Sequence, residues 1–131
     1  MKVLRVRPKH YPEVIDIDCS LESLQKEVEG PIQAVYPWDD EVALICNEEG
    51  KLHDNCMEKL NRTLDGPYGI PIDIIVGTFL IVGLTENDFG ELLPEFVEKY
   101  EKMFHQPRKF VTYTDSEGKA HLDVDYCTPE E

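Results

Sequence analysis

The sequence lacks any apolar segment long enough to cross a membrane. Its longest apolar run, residues 70–84, is interrupted by Asp73 and would reach about 22 Å as a helix, against about 30 Å of hydrocarbon. The N-terminus alternates apolar with basic side chains and then meets Pro8 and Pro12, so it has no apolar signal-peptide core. We therefore expect a cytoplasmic protein.

The sequence also lacks paired cysteines and recognised catalytic motifs. Its four cysteines are widely spaced without a CxxC pair, as is usual for reduced thiols in a cytosolic protein. It contains no P-loop, Rossmann glycine pattern, nucleophile elbow or readable Ser/His/Asp grouping. Acid pairs such as Asp123 and Asp125 are inevitable among 27 acidic residues, and they indicate an acidic surface. We therefore predict a protein that is not an enzyme and needs no cofactor.

Basic residues are scarce, and the charge is unevenly distributed. The 131 residues include 13 basic and 27 acidic side chains, for a formal net charge of −14. The first ten residues nevertheless hold four bases and no acid. Such a field disfavours direct binding to a nucleic-acid backbone and attracts a basic protein surface. Plain solubility is the alternative explanation for the acidity.

The length and the 41% of hydrophobic residues fit one domain with a single core. We predict a single α+β domain over residues 1–127 and a frayed acidic tail at 128–131. Its sheet is predicted to be mixed or mainly antiparallel, with two principal helices packed on it. One helix is predicted over residues 20–29, with a serine N-cap, and the other from Pro94 to a stop at Pro107.

Two hairpins are predicted at the ends of the domain. Alternating basic and apolar side chains at residues 2–8, followed by a short segment of mixed apolar and acidic side chains at 13–18, predict an opening hairpin. Residues 110–114 and 121–126, joined by a turn containing Asp, Ser, Glu and Gly, predict a closing one.

The central part of the chain is predicted to form further strands. Residues 32–36 and 42–46 are apolar segments separated by an acidic turn. Residues 72–82 are rich in β-branched side chains and predict one continuous central strand, with Gly77 as a bulge. Residues 53–64 fit either a short helix or an irregular excursion.

The best candidate metal ligands are Cys46, His53 and Cys56. His53 and Cys56 would share a face if their segment were helical. A fourth ligand is missing nearby and would have to come through the fold. Ordinary turn and core residues are the simpler interpretation, so we predict no metal site.

A candidate partner-binding patch lies in the acidic turn. Trp38 precedes the three acids Asp39, Asp40 and Glu41. A large amphipathic ring beside negative charge is typical of a protein-binding hot spot. A core tryptophan beside a polar turn has the same sequence pattern, and the residues alone do not separate the two.

A candidate ligand-binding site combines the Gly/Pro-rich loop at residues 66–71 with Asn61, Arg62 and Tyr68. A glycine-rich loop can expose backbone N–H groups to an anion, so such a site would suit a nucleotide-like ligand. A plain connecting loop is the alternative.

Several segments together resemble the uncharacterised bacterial and phage family known as domain of unknown function 3846, over nearly the whole chain: MKVLRVRP, LESLQKEVEGPIQAVYP, YPWDDEVALICNEEGKL, DIIVGTFLIVGL and NDFGELLPEFVEKYEKMFHQP. The chain departs from the family pattern at residues 53–57, which replace a small apolar link. The resemblance implies association with mobile elements and phages, alongside conjugation and anti-restriction functions, and it implies no known catalytic residues.

Three hypotheses for function follow. The first is a non-enzymatic accessory protein that binds a basic nucleic-acid-handling or defence protein through its acidic face. The second is a module that binds a small nucleotide-like molecule. The third is a homo-oligomer formed through an edge strand or through the apolar face of the helix at residues 96–104.

Overall fold

The structure is a computed structural model that describes residues 1–18, 20–52, 56–66 and 70–129, with Cys56 described by its backbone alone. All strand pairings among these residues are antiparallel, and two α-helices pack on the strands, which confirms the predicted α+β class. The elements are β1 (Lys2–Val6), β2 (Glu13–Asp16), α1 (Leu21–Val28), β3 (Ile32–Val35), β4 (Val42–Asn47), β5 (Leu60–Asp65), β6 (Pro71–Val76), β7 (Phe79–Leu84), β8 (Phe89–Gly90), α2 (Pro94–Phe104), β9 (Arg108–Thr114) and β10 (Ala120–Tyr126).

The main sheet has the strand order β2-β1-β7-β4-β3, with the short β8 paired to the end of β7. Ile81 lies at its centre, opposite Leu4 of β1 on one side and Leu44 of β4 on the other. All three side chains are fully buried, because this sheet is covered on both faces. The predicted opening hairpin is confirmed as the pairing of β1 with β2.

Helix α1 covers one face of the main sheet. Ser20 is its N-cap and accepts a hydrogen bond from the Ser23 amide at 3.1 Å, as the sequence predicts. Leu24 and Val28 bury their side chains against apolar residues of β1, β4 and β7. The helix ends at Glu29, which adopts a left-handed conformation with φ 63°.

Helix α2 covers the opposite face and begins at Pro94, as predicted. Tyr100 and Phe104 are buried against the main sheet, and Phe96 and Val97 pack beside them. The apolar face that the sequence suggested for pairing with a second copy is therefore packed on the chain's own core.

The prediction of one strand over residues 72–82 is wrong. The structure has two strands, β6 and β7, which lie in different sheets. Gly77, with φ +78°, turns the chain from the small β5-β6 sheet into the main sheet. The residues on both sides of this glycine are apolar, and a continuous apolar run has no alternation that would indicate where one strand ends and the next begins.

The segment predicted as a short helix or irregular excursion contains a short 3-10 helix and most of a strand. Residues 53–55 lie outside the described residues, a short 3-10 turn covers Cys56–Lys59, and Leu60–Asp65 form strand β5. The strand was missed because its buried residues include Asn61, Arg62 and Thr63, side chains that usually face water.

The predicted closing hairpin is confirmed, with β9 and β10 in continuous register from the Arg108–Tyr126 pair to the Thr114–Ala120 pair. We call this hairpin the arm. Every residue of β10 and most of β9 are exposed, so the arm contributes little to the core. A hydrogen bond of 3.0 Å from the Cys127 amide to the Pro107 carbonyl closes its base.

Neither α-helix in the described ranges is long and apolar enough to cross a membrane.

Candidate functional site

Acidic side chains converge at one end of the main sheet, where β1 begins, β2 and β7 end and both helices start. Backbone hydrogen bonds join the segments there: the Leu84 amide donates to the Glu41 carbonyl oxygen at 3.1 Å, and the Leu92 amide donates to the Lys2 carbonyl oxygen at 2.9 Å. We call this region the acidic end. Its acids are Asp16, Asp18, Glu22, Asp39, Asp40, Glu41, Glu86, Asp88, Glu91 and Glu95.

Few cations oppose these acids. Within the described ranges, only two of the acids form ion pairs: Asp16 with the N-terminal ammonium at 3.2 Å, and Asp40 with Lys99. Asp18 is engaged differently, because hydrogen bonds from the Ser20 and Ser23 hydroxyls lower its pKa to about 2. The other carboxylates of the acidic end are exposed and without an ion pair in the described structure.

The predicted patch at residues 38–41 divides into two parts. Asp40 accepts hydrogen bonds from Lys99 and from the Tyr100 hydroxyl, the latter at 2.6 Å. These two contacts hold the pKa of Asp40 below its ordinary value. Asp39 and Glu41 on either side are exposed. Asp40 therefore anchors the turn, and its two neighbours face solvent.

Trp38 is half-buried and packs inward. Its ring centroid lies 4.5 Å from that of Tyr100 and 6.0 Å from that of Phe104. Both partners belong to α2, so the indole fastens the acidic turn to the helix. This is the core-tryptophan arrangement that the sequence allowed beside the hot-spot interpretation.

At the opposite end of the sheet, Arg5 of β1 and Arg7, which follows β1, are paired with acids. Arg5 bonds to Glu13 at 2.8 Å and to Glu27 at 3.0 Å, and Arg7 approaches Glu13 at 2.8 Å. The bonds to these two glutamates raise the pKa of Arg5 against the opposing effect of its partial burial. The two arginines of the basic N-terminal segment are thus paired with the chain's own acids.

Arg62 is the exception at this end. Its side chain is only 1% exposed, yet it forms no ion pair with a described carboxylate. Its guanidinium donates instead to the carbonyl oxygens of Phe104 at 3.0 Å and His10 at 2.6 Å, and to Asn61 Oδ1 at 2.8 Å. Burial, together with the charge of Arg108, lowers the pKa of Arg62 to about 10.

Arg62 lines a cavity of about 280 Å³, which we call the Arg62 cavity. Trp38 and Phe104 form an aromatic wall, and Arg108 brings a second guanidinium from the base of the arm. The remaining lining residues are Thr63, Leu64, Asp65, Gly66 and Met103. Arg108 also lines a wider cleft of about 790 Å³ between the arm and the body of the domain.

The predicted ligand site is brought together only in part. Arg62 and Gly66 both line the Arg62 cavity. Asn61 does not line it, since its side-chain amide donates to the carbonyls of Val6 at 2.9 Å and Gly77 at 2.8 Å. Those bonds hold the crossing between the two sheets. Tyr68 lies outside the described residues.

Of the candidate metal ligands, only Cys46 has a described side chain, and its thiol is free and half-buried. Burial raises the pKa of the Cys46 thiol, and its sulfur lies 3.8 Å from the Gln33 carbonyl oxygen. His53 and the side chain of Cys56 lie outside the described part. The described residues contain no group of three or more His, Cys, Asp or Glu side chains placed to hold a metal ion.

Sequence reasoning missed Arg108 and the full extent of the acidic end. Arg108 lies far from Arg62 along the chain, and only the packing of the arm's base beside β5 brings them near one cavity. The acids converge because antiparallel pairing brings alternate connections to the same end of a sheet. The sequence carries that signal only after the strand order is known.

The comparisons with known proteins give one result. A family model described as Domain of unknown function (DUF3846) matches residues 1–105, which confirms the resemblance seen in the sequence. No curated protein and no solved structure matches the chain. The matched range includes both helices and the strands from β1 to β8, and it stops before the arm. The chain therefore belongs to the DUF3846 family.

Proposed function

We propose that this domain acts by binding rather than by catalysis, and that its acidic end contacts a basic protein. The observation that supports this proposal is the convergence of exposed acids from separate connections at one end of the main sheet, with few cations among them. A protein that handles nucleic acid has a basic surface suited to phosphates, and closely spaced carboxylates offer it a similar field.

The contact is assigned to the exposed acids and not to the whole predicted patch. Asp39, Glu41 and Glu86 are exposed and form no ion pair in the described structure, so a partner's lysine or arginine can reach them. Trp38 and Asp40 are occupied by their contacts with α2. The expected interface is therefore polar, with fast, salt-sensitive association.

The test is capture of host proteins by the immobilised domain, followed by titration calorimetry with the purified partner. We expect affinity to fall at least about tenfold between about 50 mM and about 300 mM salt, because screening shortens the reach of exposed charges. The double substitution D39N/E41Q should weaken binding several-fold, since it removes two charges from the acidic end.

The matched control is E48Q/E49Q. These two exposed acids follow β4 at the opposite end, so the substitution makes the same change in net charge away from the proposed contact. It should leave affinity nearly unchanged. Binding that is insensitive to salt, or that falls equally in both double variants, would contradict the proposal.

A further inference from the structure

Two arginines line the Arg62 cavity, and no carboxylate among the described residues forms an ion pair with either of them. Arg62 is buried and Arg108 is half-buried, and the charge of Arg108 contributes to the lowered pKa of Arg62. Neither arginine forms an ion pair with a described carboxylate, although the chain has 27 acidic residues. Two like charges facing one cavity repel each other, and burial of one of them increases the cost.

Other contacts do not remove this charge. The carbonyl and amide oxygens around Arg62 satisfy its hydrogen-bonding groups but carry no net negative charge. Arg108 lies over the ring of Tyr126, with 4.3 Å between the guanidinium carbon and the ring centroid, which is also a neutral partner. Asp65 lines the cavity from an exposed position without pairing with either arginine. A bound anion would supply the missing compensation.

The shape and lining of the cavity restrict the anion. Its volume of about 280 Å³ is small for a ligand pocket, and one wall consists of the Trp38 and Phe104 rings. Arg108 suits a phosphate group, because its guanidinium can match the phosphate oxygens with paired donors, and the buried charge of Arg62 adds electrostatic attraction. The aromatic wall suits a planar ring attached to that phosphate.

We propose that the Arg62 cavity binds the phosphate group of a small molecule that carries a planar ring, such as a nucleoside monophosphate, between Arg62, Arg108 and Trp38. Arg108 is a direct phosphate contact, because its guanidinium is fixed by the arm and is free of carboxylate partners in the described structure. Trp38 adjoins the acidic turn, but the exposed acids of the acidic end do not line this cavity, so D39N/E41Q and R108Q test the two proposals separately.

Trp38 makes the test direct. It is the only tryptophan in the chain, so a change in its fluorescence reports a ligand in this cavity. Adenosine monophosphate, inorganic phosphate and adenosine are titrated at constant ionic strength, with affinities measured by calorimetry. We expect the monophosphate to bind most tightly and to alter the Trp38 emission, and adenosine to bind weakly.

Substitutions in the arm test whether Arg108 contacts the phosphate, through their effect on binding affinity. R108Q should weaken binding of the monophosphate and of phosphate by about tenfold, the usual scale for one hydrogen-bonded charge. R108K keeps the charge and should retain part of the affinity. K119Q is the matched control, because it removes one positive charge from the exposed turn of the same arm, away from the cavity.

The affinities of R108Q and K119Q for phosphate and the monophosphate support or overturn the proposed site. A loss in R108Q that is absent in K119Q supports the site, and equal affinities for phosphate and the monophosphate would overturn the proposed contact between the ring and the aromatic wall. Equal losses in R108Q and K119Q would overturn the proposal, as would no binding of either phosphate compound at concentrations up to about 1 mM. Circular dichroism of each variant verifies that the arm and the body remain folded.

Discussion

The two ends of the main sheet differ in whether their charged side chains form ion pairs. At the acidic end, carboxylates are numerous, exposed and mostly without cationic partners, whereas Arg5 and Arg7 at the opposite end are paired with nearby glutamates. Exposed charges cost little because water solvates them, so their crowding is tolerated without pairing. Arg62 breaks this pattern, because it is buried and has only neutral partners.

This contrast shows that the net charge of the chain does not determine the charge of each region of the molecule. The value of −14 predicts a general attraction to cations, and the acidic end is where that attraction is concentrated. The Arg62 cavity, within the same chain, is lined by two arginines, and we propose the opposite preference for it. A negatively charged protein can therefore carry a site for anions when burial and shape shield it from the surrounding acids.

Replacement of Arg62 by leucine should cause the largest loss of stability among these substitutions. Arg62 is buried at the end of the main sheet opposite the acidic end. Leucine fills part of the volume but leaves the carbonyls of Phe104 and His10 without donors. We expect a loss of about 3 kcal/mol in the free energy of unfolding. Urea denaturation measures it, with R7Q as the control, since Arg7 is partly exposed and should cost less than about 1 kcal/mol. Equal losses in the two variants would show that the buried guanidinium has no special structural role.

Replacement of Tyr100 by phenylalanine tests how the acidic turn is held. The ring and its packing on Trp38 remain, and only the hydroxyl that donates to Asp40 at 2.6 Å is lost. We expect a decrease of about 1 kcal/mol in unfolding free energy, measured by thermal or urea denaturation. Y113F is the control, because Tyr113 is an exposed residue of the arm whose hydroxyl has no such acceptor among the described contacts. A Y100F protein as stable as Y113F would contradict the anchoring role.

Acidification should weaken the same anchor. The pKa of Asp40 is lowered by Lys99 first and then by Tyr100, so the folded state favours the carboxylate. Its contribution is complete above the ordinary aspartate pKa and is lost as pH falls through the lower, folded-state value. The difference in urea midpoint between wild type and K99M should therefore be present at about pH 6 and shrink toward about pH 3.

The control for this pH series is K102M. Lys102 forms an exposed pair with Glu98 on the outer face of α2, away from Asp40. Its substitution should change the midpoint little at any pH, as is usual for surface ion pairs. A K99M difference that is constant over the pH range would show that Lys99 does not stabilise the fold through the Asp40 carboxylate.

The sequence was sufficient for the elements that signal themselves locally. Ser20 and Pro94 mark the starts of the two helices, and the alternation along β1 marks the opening hairpin. Strand β5 could not be predicted, because the burial of Asn61 and Arg62 depends on carbonyl groups supplied by distant segments.

The candidate site was predictable to a similar extent. The acids beside Trp38 were visible as a run, and the inward direction of that ring followed only from the packing of α2. Arg62 was a candidate from its place near the glycine-rich loop, but its cavity needs Arg108 from the arm. Contacts between residues far apart in sequence decided both points, and no local pattern contains them.

The smallest expected effect concerns stability at the acidic end itself. The side chains of Asp39 and Glu41 form no ion pair in the described structure, so D39N/E41Q should change the unfolding free energy by less than about 0.5 kcal/mol, toward greater stability as repulsion falls. Urea denaturation at low salt measures it against E48Q/E49Q. A clear loss of stability in D39N/E41Q would mean that these carboxylates support the fold, and any weaker binding by that variant could then no longer be attributed to a lost contact with the partner.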